Sequence, residues 1–138
     1  TNRKRNDSIL VAAFLLLLAS GVVLHLKRHG LLIEPRAVIK AAHGAVAFVM
    51  VLVVDRHYLL CRNALQGMGK RYPWFPKTTT LLLWVFVFTA VTGAVKILSP
   101  VKIPYLGVVH YWCGIVMSVL AIGHLVVGLP LLLGKWHR

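Results

Sequence analysis

Apolar residues occur in four long runs, separated by polar, basic or proline-containing segments. The runs cover about residues 9–26, 36–60, 79–98 and 105–129. Each is about as long as an α-helix must be to cross a hydrocarbon core about 30 Å thick. Pro35 and Pro104 precede the second and fourth runs, and proline suits a helix start because it lacks an amide that the first turn would leave unpaired. The pattern predicts four membrane-spanning helices.

The segments outside the runs are polar. The chain begins TNRKRNDS, which we interpret as a basic tail, and the stretch CRNALQGMGKRYPWFPKT after the second run is predicted to be the longest connection. Its glycines, prolines and charges are expected to end a buried helix. A basic start followed by an apolar run also fits a signal peptide. We favour a retained helix because this run is long for a signal sequence.

The first half of the pattern resembles the second half. The end of the first run, Ser20-Gly21-Val22-Val23, is similar to Thr92-Gly93-Ala94-Val95 in the third. Runs 1–2 and 3–4 therefore read as a weak internal duplication. The expected fold is all-α, an integral membrane four-helix up-down bundle that forms a single transmembrane domain over residues 1–138.

Composition agrees with a membrane setting. Of 138 residues, 59% are hydrophobic and three are acidic, and the formal net charge is +13. The basic residues lie between the apolar runs and do not form a stripe with interleaved aromatic residues, so lipid is the expected partner and nucleic acid is not. Cys61 and Cys113 belong to no CxxC or CxxCH motif, which excludes covalent c-type haem attachment.

Four histidines give the clearest chemical signal. His43 and His57 lie in the second run, His110 and His124 lie in the fourth, and both pairs are fourteen residues apart. Fourteen residues of helix are almost four turns, so both rings of a pair share one face about 21 Å apart. In an up-down bundle the second and fourth helices run the same way.

This parallel arrangement sets His43 at the depth of His110, and His57 at the depth of His124. Two neutral imidazoles fill both axial positions of a haem iron. The sequence therefore predicts two b haems stacked across the bilayer, with His43/His110 and His57/His124 as the iron ligands.

Other residues near these histidines are candidates for cofactor binding. Gly44 and Gly114 could make room for the flat haem ring, although small residues also let membrane helices pack without any haem. Arg36 and Lys40 could pair with haem propionates, and interfacial anchoring is the alternative. His25 and Lys96, on the two helices that supply no iron ligand, are candidates for contacting a quinone. The alternative is that both reach towards lipid headgroups.

These features resemble the small four-helix dihaem cytochrome b membrane subunits of bacterial formate dehydrogenases and nickel–iron hydrogenases. The resemblance covers about residues 9–129 and rests on H43-x13-H57, H110-x13-H124 and the Ser-Gly and Thr-Gly pairs of the first and third runs. It implies a subunit that binds two haem b groups and passes electrons between a respiratory partner and the quinone pool, with a quinone as a further ligand. The implied partner is an iron–sulfur or multihaem cytochrome subunit, and the implied enzyme activity belongs to the complex.

Two alternatives remain open at this point. A chlorophyll-type pigment also uses histidine, but it usually takes one protein ligand, which disfavours paired rings. A non-redox anchor or assembly subunit would use the histidines to brace the bundle. For location, the sequence predicts a multi-pass protein of the cell inner membrane. The distribution of basic residues predicts that both termini are cytoplasmic.

Overall fold

The chain folds into long α-helices. The computed structural model describes residues 2–30 and 35–132, and in that part of the chain all regular secondary structure is helical. The helices are α1 (Asn2–Arg28), α2 (Arg36–Arg71), α3 (Trp74–Leu98) and α4 (Leu106–Leu132). The predicted all-α class with four long helices is confirmed.

Each helix is long and apolar enough to cross a membrane. The candidate spans are Asn2–Leu26, Arg36–Lys70, Trp74–Leu98 and Leu106–Leu129. Large apolar side chains lie on the outside, and Phe48 and Trp84 are 65% and 69% exposed. Such surfaces suit lipid, in which a helix satisfies its own backbone hydrogen bonds. The chain is therefore a multi-pass membrane protein by length and composition.

The structure divides into two compact units, Thr1–Ala64 and Leu65–Arg138. The first contains α1 and most of α2, which run antiparallel. Its buried apolar side chains include Phe14 of α1 and Met50 of α2. The second unit contains the end of α2 together with α3 and α4, and in it α3 and α4 pack against each other in antiparallel fashion. Each unit is thus centred on one helical hairpin.

Helix α1 begins earlier than the sequence predicted. It starts at Asn2, so the interpretation of residues 1–8 as a polar tail is wrong for the described residues 2–8. Asn6 and Asp7 are buried. The Asn6 side-chain amide donates a hydrogen bond to the carbonyl of Val53 on α2, at 3.4 Å. These polar residues extend the helix because their side chains find polar partners across the hairpin.

The connection between α2 and α3 is much shorter than predicted. Helix α2 continues to Arg71 and α3 begins at Trp74, so most of the supposed polar connection is helical. Cys61, Leu65 and Met68 are half-buried, and their spacing of four and three residues is that of one helix face. A Cβ at Gly69 would lie 3.1 Å from Cγ of Pro76, so a glycine there permits a close approach to the start of α3. Charged residues on the other faces of α2 do not end the helix, because only one face of its C-terminal part is packed against the protein.

The starts of α2 and α4 lie close to the predicted prolines. Pro35 directly precedes α2, and its carbonyl accepts a hydrogen bond from the amide of Ile39. In the second unit, α4 begins at Leu106, two residues after Pro104, and the intervening Tyr105 has a φ of 62°. Helix α4 then extends to Leu132, three residues beyond the predicted end at 129.

Candidate functional site

The four predicted ligands lie on the second helix of each hairpin. His43 and His57 belong to α2, and His110 and His124 belong to α4. All four side chains are half-buried. At 1.5 Å per residue the two rings of each pair are about 21 Å apart along the helix axis. In every case a polar group of the first helix of the same hairpin lies at the Nδ1 atom.

His43 is held by Ser20 of α1. The Ser20 Oγ lies 2.7 Å from Nδ1 of His43, and the same hydroxyl is 2.7 Å from the carbonyl oxygen of Leu16. A hydroxyl has one hydrogen to donate. Because a carbonyl can only accept, the Ser20 hydroxyl donates to Leu16 and accepts from Nδ1–H of His43.

His57 is held by Asp7, also on α1. Its Nδ1–H donates to Oδ1 of Asp7 at 2.9 Å. The Asp7 residue is 9% exposed. Nε of Arg3 lies 3.9 Å from its other oxygen, Oδ2. Cys61, one turn further along α2, places Sγ 3.8 Å from the same Nδ1. The carboxylate therefore directs one oxygen at the imidazole within a largely buried pocket.

His110 is held by two groups of α3. Its Nδ1 lies 3.1 Å from Oγ1 of Thr92 and 3.1 Å from the carbonyl oxygen of Thr89. The Thr92 hydroxyl also donates to the Thr89 carbonyl, at 3.0 Å. Gly93 lies against this ring, since a Cβ at that position would be 2.9 Å from Cε1 of His110. Two acceptors and a close backbone approach fix the orientation of the imidazole.

His124 is held by the start of α3. Oγ1 of Thr79 lies 3.4 Å from Nδ1 of His124. The Phe75 ring stacks on the imidazole, with 5.3 Å between ring centroids and an interplanar angle of 18°. Phe75 is itself buried. This contact limits rotation of the ring and compensates for the longer hydrogen bond.

The two hairpins repeat this arrangement in register. The partners Ser20 and His43 are 23 residues apart, whereas Thr92 and His110 are 18 apart. Asp7 and His57 are 50 apart, whereas Thr79 and His124 are 45 apart. Both differences equal five residues. The connections 29–35 and 99–105 are equally long, so the difference lies in the helix ends that flank them, which are shorter in the second hairpin. The predicted internal duplication therefore extends to the groups that orient the histidines.

The partner chemistry also determines the tautomer. For His43, His57 and His110, at least one group at Nδ1 must accept, so the hydrogen of the neutral ring is on Nδ1. The lone pair is then on Nε2. Metal-binding histidines commonly donate the other ring N–H to a carboxylate, a carbonyl or a similar group, which fixes both the orientation and the tautomer. The donor set therefore fits a group that binds through Nε2.

Clusters suited to other metals are absent from the described part of the chain. Within residues 2–30 and 35–132, no group of three or more His, Cys, Asp or Glu side chains could hold a metal ion. That criterion does not apply to a bis-histidine haem, in which the porphyrin supplies the four remaining iron ligands.

The other predicted site residues lie at the ends or on the sides of the helices. Gly44 is half-buried beside His43, and Arg36 and Lys40 are exposed in the first turns of α2. Apart from its chain neighbours and the nearby backbone of its own helix, no described atom lies within 4 Å of a Cβ built at Gly114. The open side of Gly114 is compatible with a neighbouring planar group, and the role of each of these residues stays a prediction.

The two candidate quinone contacts differ in their surroundings. The His25 ring lies 4.6 Å from the ring of His29, measured between centroids, at the end of α1. Lys96 is exposed in the last turn of α3. Both residues have further interactions within the protein. Their predicted role towards a quinone stays untested.

Sequence reasoning missed the groups that orient the histidines. The sequence pattern places Asp7 in a tail and indicates no role for Ser20, Thr79 and Thr92 at the imidazoles. A signal was present, because Asp7 and Ser20 are thirteen residues apart and so are Thr79 and Thr92. In an antiparallel hairpin, such a spacing matches histidines fourteen residues apart on the second helix.

Comparison with known proteins gives no match. No protein-family model, no curated protein and no solved structure matches the chain. The resemblance to dihaem cytochrome b subunits therefore stays a prediction from the sequence pattern.

Proposed function

We propose that this protein is a membrane electron-transfer subunit that binds two b haems, one towards each side of the bilayer. His43 and His110 would be the axial ligands of one haem, and His57 and His124 those of the other. The pairing rests on the matched spacing and on the expectation that α2 and α4 run in the same direction. Bound haem supplies a one-electron Fe(III)/Fe(II) couple.

The observation that supports this proposal best is the repeated hydrogen bond at Nδ1. Four histidines at matched positions each have a hydroxyl or carboxylate oxygen at Nδ1 from the other helix of the hairpin. Histidines placed at random in membrane helices would not all be hydrogen-bonded at Nδ1, and their partners would not occupy matching positions in the two hairpins. Such hydrogen bonds orient the rings before a cofactor binds, so less conformational freedom is lost on binding.

The partner and the second ligand follow from the resemblance. In the small dihaem cytochrome b subunits, electrons pass between a redox subunit at one membrane face and the quinone pool. We propose the same place for this chain, with an iron–sulfur or multihaem cytochrome partner. The complex would lie in the cell inner membrane, with both termini of this chain in the cytoplasm.

The decisive experiment is a haem count on the purified protein. A dithionite-reduced minus oxidised spectrum, with a pyridine haemochrome assay, is expected to give two b haems per chain. Replacing any one of the four histidines with alanine is expected to lower the count to one, because a haem that loses one of two axial ligands binds weakly. A colourless wild-type protein would contradict the proposed function.

The pattern among the four variants tests the pairing. His43→Ala and His110→Ala should retain the same haem, with identical spectra and midpoint potentials. His57→Ala and His124→Ala should retain the other one. If His43→Ala and His110→Ala retained different haems, the ligand assignment would be wrong even though the protein binds haem.

A non-redox anchor is the second candidate. The hydrogen bonds that the histidines donate to Ser20, Asp7 and Thr92 also brace each hairpin internally, which is the role that this alternative assigns to the histidines. The two functions differ in one measurement. The anchor predicts a stable protein without haem absorption, whose thermal stability falls when a histidine is removed.

A further inference from the structure

We infer that Asp7 makes the two proposed haems unequal, by lowering the midpoint potential of the one ligated by His57. This inference rests on the proposed function and adds an ordering of the two cofactors. It identifies Asp7 as a positioning and tuning residue, since its carboxylate would act through the ligand ring that it contacts.

The inference begins from a difference among the four hydrogen bonds. Three histidines face neutral groups at Nδ1: the hydroxyls of Ser20 and Thr79, and the hydroxyl of Thr92 with a carbonyl. Among the Nδ1 contacts of the described residues, only the one at His57 is to a carboxylate, at 2.9 Å. In the register of the duplication, Asp7 occupies the position that Thr79 occupies in the second hairpin. The two halves therefore match in geometry and differ in charge at one position.

The surroundings of Asp7 direct its charge at the imidazole. Its side chain is 12% exposed. Within the described residues, Oδ2 is buried and accepts no hydrogen bond. Arg3 approaches that oxygen to 3.9 Å, but its side chain is 45% exposed, so solvent weakens its effect. The shortest polar contact of the carboxylate is thus the one to His57.

A carboxylate at Nδ1–H changes the donor strength of the ring. It draws the hydrogen towards itself, which raises the basicity of the imidazole and increases the electron density on Nε2. A stronger donor stabilises ferric iron more than ferrous iron, as does a nearby negative charge in a medium of low dielectric constant. Hydroxyl and carbonyl acceptors do this to a smaller extent because they are uncharged. With both haems bound, an electron shared between them would therefore be more stable on the haem held by His43 and His110.

The test is a redox titration of the intact protein and of Asp7→Asn. Asparagine has nearly the shape of aspartate and can still accept the hydrogen bond through its carbonyl, so the substitution removes the charge and keeps the contact. Two midpoint potentials are expected in the wild-type protein. In Asp7→Asn the lower one should shift upwards, the higher one should not move, and the haem count should stay at two.

Further variants distinguish the effect of the Asp7 charge on the lower midpoint potential from a structural effect of the substitution. Asp7→Glu should keep the lower potential close to its wild-type value. Asp7→Thr, which copies Thr79, should shift it upwards as Asp7→Asn does, and it serves as the test if Asp7→Asn loses haem. Ser20→Asn is the matched control on the other haem and should leave the lower potential unchanged.

The possible failures are distinct. Wild-type protein without haem would contradict the proposed function. A protein with two haems whose lower potential is unaffected by both Asp7→Asn and Asp7→Thr would overturn this inference and leave the proposed function intact. A shift in the higher potential would also overturn it, because the carboxylate would then act on the other haem.

Discussion

At the scale of single residues, the structure shows how a small polar side chain can determine the orientation of an imidazole in an apolar helix. Ser20 and Thr92 each bond back to the carbonyl of their own helix and still accept from a histidine of the neighbouring helix. A buried ring nitrogen without a partner would cost about 1–3 kcal/mol. The hydrogen bond to each hydroxyl therefore avoids the cost of an unpaired ring nitrogen, and the same hydrogen bond selects the tautomer of the imidazole.

Gly93 and Gly21 give a matched prediction at this scale. A Cβ at Gly93 would lie 2.9 Å from Cε1 of His110, which requires the ring to shift, whereas a Cβ at Gly21 would lie 3.6 Å from Cε1 of His43, an ordinary contact. We expect Gly93→Ala to lower the haem count from two towards one, and Gly21→Ala to leave it at two. The pyridine haemochrome assay measures both.

The stability of the two variants is the control. Alanine favours a helix over glycine by about 1 kcal/mol, so neither substitution should weaken the helix itself. Circular dichroism should therefore show unchanged helix content in both. Equal haem loss in the two variants would mean that the close approach of Gly93 to His110 has no special role.

At the scale of elements, the repeated unit is the helical hairpin. Each hairpin contains a first helix with two polar groups thirteen residues apart and a second helix with two histidines fourteen residues apart. The separations between partners differ between hairpins by the same five residues. The second hairpin is therefore shorter in the helix ends next to its connection, and the pairing of its two helices is the same.

The last turns of α1 and α3 supply a prediction at this scale. His25 and Lys96 lie near the ends of these helices, close to the proposed depth of His43 and His110. If they contact a quinone, His25→Ala and Lys96→Ala should each bind two haems and show reoxidation by quinone slowed by about tenfold, corresponding to about 1.4 kcal/mol. Stopped-flow reoxidation with a soluble quinone measures this rate.

The control is Asp55→Asn, on the opposite side of the proposed haem pair. Asp55 is exposed on α2, two residues before His57. The Asp55→Asn substitution should leave the rate of reoxidation by quinone unchanged. If His25→Ala and Lys96→Ala were reoxidised at the wild-type rate, the quinone would bind elsewhere. If Asp55→Asn were reoxidised more slowly than the wild-type protein, the quinone would bind on the side of His57.

At the scale of the whole molecule, the distribution of charge bears on orientation in the membrane. If the four helices follow the up-down topology expected from the sequence, ten of the 16 basic residues lie on the side of the termini and six on the other side. The smaller group comprises Lys27, Arg28, Arg36, Lys40, Lys96 and Lys102. Two of the ten, Lys135 and Arg138, lie outside the described residues. The positive-inside rule then predicts cytoplasmic termini.

Cysteine labelling measures this orientation. In a chain with Cys61→Ser and Cys113→Ser, we would introduce Asn2→Cys or Val101→Cys, two exposed positions whose replacement leaves the charge count unchanged. A membrane-impermeant thiol reagent added outside should label position 101 and should label position 2 only after permeabilisation. The reverse pattern would show that the termini face outwards.

The sequence by itself determined the class of fold and the positions of the histidines. Apolar runs of about 20 residues can satisfy their backbone hydrogen bonds in lipid only as helices, so length and hydropathy were sufficient. The fourteen-residue spacing then placed each pair on one face of a helix, because helical periodicity is a local property. These are features that do not depend on which helix packs against which.

Tertiary structure decided which polar groups meet the histidines and how far the helices extend. The register of two antiparallel helices depends on side-chain packing along their whole length, and apolar runs alone do not determine it. The sequence pattern therefore predicts a tail at Asp7, whereas α1 begins at Asn2 and the carboxylate of Asp7 lies at His57. For the same reason α2 passes its predicted end to reach Arg71, since Leu65 and Met68 of its last turns are half-buried.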